Sequence, residues 1–277
     1  MRRLGARPPA SALVGIAIVA AILAAALFAP RVAPYGEAEL VGEVWAPPSA
    51  ATLLGTDSLG RDMLSRLIYG ARTTVGIALA TTVLAFLIGC LAGFSAAVLG
   101  GWVDALLSRL VDVLLAIPVL ISALLVLSVL GTSIPVLIGT IAVLESTRVF
   151  RVSRAVAMTI AVLDYVEIAR LRGEGLGWVI AREILPNALP PLIAEAGLRF
   201  CFIFLFIASL SFLGLGIQPP WADWGSMVRE NAQAINFGVY APLYPAAAIA
   251  LLTVGVNLVV DWLLALHARP GGQTVDL

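Results

Sequence analysis

Hydrophobic and polar positions along this chain alternate in long blocks, far longer than the two-residue period of a half-buried strand. Residues 11–29 carry no charge, 30–72 are polar by comparison and rich in Pro and Gly, and 73–99 are again uncharged. After the sequence GGWVDALLSRLVD comes an uncharged run from Val113 to Leu144. Such a run exceeds what one helix needs to cross about 30 Å of hydrocarbon. The sequence GTSIP at 131–135 breaks it, so the pattern predicts two helices, over 105–130 and 134–154. A charged stretch follows. A fifth helix is expected over 188–215, a loop over 216–240 and a sixth helix over 241–266. The chain then divides at 72/73 into an N-terminal helix with an outer interfacial segment (1–72) and a core of five further helices (73–277).

Composition agrees with this pattern. Of 277 residues 61% are hydrophobic and 12% charged, and the mean hydropathy is +1.02. These values define an all-α polytopic membrane protein. The formal net charge is zero, and nothing in that balance points to nucleic acid. All 17 basic residues are Arg. A GxxxxGK[ST] phosphate loop needs its Lys, so ATP hydrolysis by that route is excluded. Cys90 and Cys201 lie in apolar runs and read as reduced packing residues, and His267 stands alone without metal-ligand spacing. Residues 11–29 follow Arg2, Arg3 and Arg7 and are long enough to span. With no small-x-small cleavage site ahead of Pro30, they read as a retained first helix and not as a signal peptide.

Orientation follows from Arg asymmetry. With the N-terminus inside, the inner side holds Arg2, Arg3, Arg7, Arg109, Arg148, Arg151, Arg154, Arg170, Arg172, Arg182 and Arg269; the outer side holds only Arg31, Arg61, Arg66, Arg72 and Arg229. Both termini are therefore expected in the cytoplasm, with the charged stretch beside them.

That stretch, DYVEIARLRGEGLGWVIAREILPNALPP at 164–191, is more than a turn needs. Val162, Val166 and Ala169 recur at helical spacing and predict a short amphipathic helix. Gly173 and Gly175 can end it, because Gly accepts the left-handed conformation of a helix C-cap. A second short helix over 177–184 is expected to stop ahead of Pro186. The result is a helix-turn-helix under the membrane, over 160–187, whose small tip admits another protein.

Other polar positions invite roles. Asp57 is expected to cap a helix beginning near Leu59, with Arg61 and Asp62 pairing with Asp57 or with headgroups. The segment reads as an interfacial helix on the outer leaflet, or functionally as an outer gate or docking contact. Glu145 and Arg148 stand i,i+3, and Glu195 and Arg199 i,i+4, both spacings suited to pairing. Ionisable groups inside a membrane usually face a cavity or partner, which makes Glu145 a candidate for a translocation path. Ser211 and Gly214 in SFLGLG are further path candidates, and Gly214 and Gly216 suit tight packing or a gate. Trp221 and Trp224 suit an interfacial belt.

The charged loop resembles the EAA loop, E-A-A-x3-G-x9-I-x-L-P, of permeases of ATP-binding-cassette importers. Here it reads Glu167-Ile168-Ala169, then Gly173, then Leu185-Pro186, with Ile168 and Glu183 departing from the pattern. The sequences LLGTDSLGRDMLSRLIYGART (53–73), GGWVDALLSRLVDVLLAIP (100–118), LPNALPPL (185–192) and LSFLGLGIQPPWADWGSM (210–227) look like the dipeptide/oligopeptide/nickel permease family. The early G-T-D-x-x-G-R-D segment resembles the second, shorter permease of the pair. This resemblance implies six transmembrane helices and a multi-pass subunit of the bacterial cytoplasmic (inner) membrane, working by alternating access. It implies partners: a homologous second permease, two cytoplasmic ATPase subunits that hold ATP and Mg, and an extracytoplasmic solute-binding protein. The chain itself would carry no cofactor, metal or catalytic residue. Glu167, Ala169, Gly173, Leu185, Pro186 and Asn187 would couple to the ATPases. Short peptides are the expected solute class, with nickel chelates and other small solutes open. An ion-coupled secondary transporter is the alternative, but it calls for an internal repeat and midplane carboxylates; no clear repeat is visible and Glu145 is the one good carboxylate. A membrane enzyme would need clustered catalytic residues, which a single His without partners does not provide.

Overall fold

The computed structural model describes residues 9–267; the expectations for Arg2, Arg3, Arg7 and Arg269, and for the two termini, lie outside them. Among the described residues the regular elements are all helical. They are α1 Ala10–Leu27, α2 Ala29–Val32, α3 Met63–Leu99, α4 Gly101–Ala116, α5 Val119–Leu130, α6 Ile134–Ala161, α7 Asp164–Leu171, α8 Leu176–Trp178, α9 Leu185–Phe212, α10 Trp224–Asn231 and α11 Leu243–His267. A π-helical turn, Val179–Ile184, joins α8 to α9, and a 3-10 turn, Ala232–Phe237, follows α10.

Four stretches are long and apolar enough to cross a membrane: α1, α3, Leu176–Phe212 and Leu243–Ala265. A fifth is counted if α4 and α5 form one span, but they meet at 87°. The single helix expected over 105–130 is thus two. Pro118 has no N–H to continue the helix, and it forces the preceding Ile117 into an extended conformation (ψ 133°). α6 has the length of a span, 28 residues, but carries Glu145, Arg148, Arg151 and Arg154.

α3 begins ten residues before the apolar block, at Met63, and runs for 37 residues, roughly 55 Å at 1.5 Å per residue. The 72/73 division falls inside it. Its N-cap is Asp62, whose carboxylate accepts from the Ser65 amide, and not Asp57 as expected. α3 packs along α6 through a G-x-x-x-G pair. A Cβ on Gly89 would lie 2.7 Å from the Ser146 carbonyl oxygen, and one on Gly93 2.9 Å from both the Phe150 oxygen and the Arg154 nitrogen. Only hydrogen at these two positions lets the backbones approach so closely.

Pro186 does not end a helix. In the π-turn the Leu185 amide reaches back to the Ile180 carbonyl. Pro186 then sits in the first turn of α9, where no donor is required of it. The expected loop at 216–240 contains α10. Its Trp224 is buried and not interfacial. The indole N–H donates to the Leu67 carbonyl at 2.9 Å, and the ring meets Phe204 edge-on. Trp221 is exposed. The main core gathers Ile141, Phe204, Ile207, Leu210 and Trp224; a second cluster holds Phe94, Ile160, Val166, Ala169, Val179 and Ile184 at the other end.

Candidate functional site

The charged loop folds as a hairpin of α7 and the α8–π segment. Val166 and Ala169 turn into the second core cluster, beside Val179 and Ile184 from the return arm and Phe94 and Ile160 from α3 and α6. The arrangement fixes the hairpin to the ends of two long helices. α7 ends in a Schellman motif: the Gly173 amide donates to the Arg170 carbonyl at 2.9 Å and the Glu174 amide to the Ala169 carbonyl at 3.2 Å. Gly173 has φ +82°, and a Cβ there would meet nothing within 4 Å. The backbone therefore asks for Gly, while the space around it is open. Glu167, Arg170, Arg172 and Glu174 are exposed, interleaved with exposed Ile168, Leu171 and Trp178. A mixed apolar and charged tip of this kind suits a protein partner better than lipid. Leu185, Pro186 and Asn187 are exposed at the base of the return arm, where the Asn187 side-chain amide donates to the Glu183 carbonyl at 2.6 Å.

At the other end of α3 the expected interfacial helix is instead a buried turn. Asp57 accepts from the Leu59 and Arg61 amides at 2.8 and 2.9 Å. Its second oxygen takes the Arg61 Nε at 2.7 Å and Arg66 Nη1. Glu230 of α10 receives both arginines, at 3.1 and 3.0 Å. Arg61 and Asp62 are buried too, and neither reaches outward to a headgroup. Burial pushes the Asp57 carboxyl up, but the Arg61 amide, the Arg66 guanidinium and the Leu59 amide outweigh it and hold the group below the ordinary carboxylate value. Sequence reasoning missed Arg66 and Glu230. The network straps the 33–62 segment to α10, and Asn231 reinforces it by accepting from the Trp45 indole and the Ser58 amide.

The path candidates fall in two places. Glu145 is buried on α6 and contacts Arg148 at 3.7 Å and Arg199 of α9 at 3.5 Å; Arg199 also holds Glu195 at 2.5 Å. The two expected pairs are one network joining α6 to α9. Ser211 and Gly214 lie in the turn that ends α9. Gly214 has φ +89° and occupies the left-handed position of a second Schellman motif, with Gly214 N to Ser211 O at 3.0 Å and Leu215 N to Leu210 O at 2.9 Å. Ser211 is buried, and its hydroxyl accepts from the Ile217 amide.

A bundle of long apolar helices that carries an exposed charged hairpin at one end, and at the other a segment strapped down by buried ion pairs, defines a polytopic membrane protein. Residues 85–269 match the family of binding-protein-dependent transport system inner membrane components. The chain belongs to this family. It is 38% identical over 259 residues to a di/tripeptide transport system permease protein DppC of Pseudomonas aeruginosa (strain UCBPP-PA14), covering 91% of this chain and 86% of that protein. It is 37% identical over 259 residues to the dipeptide transport system permease protein DppC of Escherichia coli (strain K12), with the same coverage. A crystal structure of an amino acid ABC transporter with histidines shares the fold, with a TM-score of 0.54 at 19% identity over 72% of this chain and 92% of that one.

Proposed function

We propose that this chain is the second permease subunit of an ATP-binding-cassette importer for short peptides and forms half of its translocation path. The observation that carries the reading is the exposed hairpin over 164–178, rigidly seated on α3 and α6 yet open at its tip. ATP-driven work must enter through such a contact, because the chain has no Lys for a phosphate loop. In this reading two cytoplasmic ATPase subunits hold ATP and Mg, one gripping Glu167, Gly173 and the base at Leu185-Pro186-Asn187. A homologous second permease completes the path, and an extracytoplasmic binding protein delivers solute to the outer face near the Asp57–Arg61–Asp62 turn. With α4–α5 and α6 counted as spans this reading has six, which leaves both termini and the hairpin on the same side, and the Arg asymmetry makes that side the cytoplasm. The peptide class rests on the two relatives' transport of di- or tripeptides.

Gly173→Asp tests the coupling. The left-handed position tolerates Asp better than most side chains, and nothing in this chain crowds a Cβ there. The variant should fold and insert, yet lose transport and ATPase co-purification at equal permease level, since the new carboxylate points into the partner's space. Normal transport and co-purification would reduce the hairpin to a linker.

A further inference from the structure

One face of α6 is ionic where its flanks are apolar. Leu144, Arg148, Arg151, Ala155 and Met158 recur at steps of four and three, the spacing of a single helical face. The side chains of Arg148 and Arg151 are 40% and 60% exposed, and Asp112 of α4, which bonds Arg151 at 2.7 Å, is 62% exposed. Charges at membrane depth face a water-filled cavity or a partner, because hydrocarbon excludes them. Arg148 lies about 21 Å and Arg151 about 26 Å along a helix about 42 Å long, at 1.5 Å per residue, so both stand in the half of α6 that leads to the hairpin.

Two cavities lie beside this stripe, and the smaller reaches the break between α4 and α5. A cavity of ≈ 390 Å³ is lined by Ser108, Val111, Asp112, Phe150, Arg151 and Arg154. A smaller one of ≈ 120 Å³ lies at Ile117-Pro118, against Leu144 and Arg148. The larger apolar grooves elsewhere, such as that of ≈ 530 Å³ between α3 and α9 lined by Leu79, Phe86 and Leu189, hold no charge and suit lipid or a packed helix.

The ion pairs in this cleft are unequally satisfied. Arg154 uses both Nε and Nη2 on the two oxygens of Asp104. Arg199 is held by Glu195. Arg148 has only the 3.7 Å approach to Glu145 and makes no hydrogen bond among the described residues, so its donors remain available. Asp112 commits one oxygen to Arg151 and keeps the other. Available guanidinium donors thus line the smaller cavity, at Arg148, and an available carboxylate oxygen the larger, at Asp112, with Arg148 and Arg151 one turn apart on α6 between them.

We infer that the cleft between the broken α4–α5 pair and α6 is this chain's share of the path, and that it holds a small zwitterionic solute with its carboxylate on Arg148 and its ammonium on Asp112. The inference rests on the permease reading and adds to it the residues that meet the cargo. Glu145, buried between two arginines, sets the position of Arg148 and does not itself meet solute.

The test uses the whole complex in liposomes, with its binding protein, in a Cys90→Ala, Cys201→Ala background. Arg148→Gln should lower uptake of radiolabelled dialanine about tenfold or more, the size of one charge-assisted hydrogen bond. Uptake of dialanine amide, checked for capture by the binding protein, should fall far less, because it brings no carboxylate. Asp112→Asn should show the same contrast between dialanine and its N-acetyl derivative. Equal losses for both solutes would mean that Arg148 only supports the fold, and loss of the second permease on purification would mean that the cleft is a subunit interface; either overturns the inference. Val111→Cys supplies an independent measurement. A charged, water-borne thiol reagent should modify it, and dialanine should slow the reaction during ATP turnover. An unmodified Val111→Cys would mean a dry cleft and would also overturn the inference. A wild-type complex that takes up no dialanine would sink the peptide reading and the zwitterion assignment with it. Modification of Val111→Cys in that same complex would still identify a water-filled path.

Discussion

Asp57 shows how one residue changes character between chain and fold. Along the sequence it is a turn-forming acid near a helix start; in the structure it is the buried counter-ion of two arginines and the acceptor of two amides. Removing one partner of a buried ionic cluster leaves the others uncompensated, at a cost of about 3–5 kcal/mol. Asp57→Ala should therefore lower the thermal unfolding midpoint of the purified complex sharply. Because the native carboxyl titrates below its ordinary value, its stabilisation is present above the unfolded-state pKa and fades as pH falls through the native one. Asp223 behaves in the opposite sense. It caps α10 and accepts from the Thr74 hydroxyl at 2.8 Å and the Ser226 amide at 2.9 Å. Burial pushes this carboxyl above its ordinary value, offset only in part by the Ser226 amide and the hydroxyls around it. Its contribution is complete below the unfolded-state pKa and is lost as pH rises through the native one. In Asp223→Asn the amide oxygen can keep the Ser226 bond while the NH2 donates to the Thr74 hydroxyl, which then accepts; the variant cannot ionise, so unfolding midpoints measured upward from the ordinary carboxylate range should decline less steeply with pH. An unchanged slope would mean that Asp223 does not titrate in that range.

Among elements, α3 is the spine. It carries the Asp57 network on its first turns, Thr74 under α10 along its length, and the G-x-x-x-G contact with α6 near its far end. Gly93→Ala should cost about 1–3 kcal/mol by overpacking, and Ser153→Ala should not rescue it. Removing the Ser153 hydroxyl still leaves the Phe150 oxygen and Arg154 nitrogen at 2.9 Å. Thermal unfolding of single and double variants decides the point; full rescue would show that the hydroxyl alone made the contact tight. The apolar blocks located α1, α3, α9 and α11 well, because a span must satisfy its backbone internally and expose apolar side chains. They did not show where α3 starts, since its first turns are held by Asp62 and by burial under α10. Nor did they show the π-turn, whose hydrogen-bond register leaves no local signature.

At the scale of the whole molecule the reading predicts sidedness. Leu59 is 59% exposed beside the Asp57 network and Leu171 is 81% exposed on the hairpin. In a cysteine-free background, Leu59→Cys should be modified by an impermeant reagent only from outside and Leu171→Cys only from the cytoplasm. Modification of both from one side would refute the topology. The hairpin's Glu167, Ala169 and Gly173 were legible in the sequence because helical period, a left-handed glycine and a short charged insert are local properties. Arg66 with Glu230, separated by 164 residues, and Glu145 with Arg199, separated by 54, were not. By itself, then, the sequence determined the solvent this protein lives in, the approximate extent of its long apolar helices, and the amphipathic hairpin. Each of these follows from hydrophobic transfer and backbone chemistry within a few consecutive turns. Tertiary structure decided which charges are buried and with whom, that Trp224 and Asp57 face inward, and that the chain between 105 and 130 is bent beside an ionic stripe. Those outcomes depend on which distant segments share a dielectric environment, and that is settled only when the helices pack.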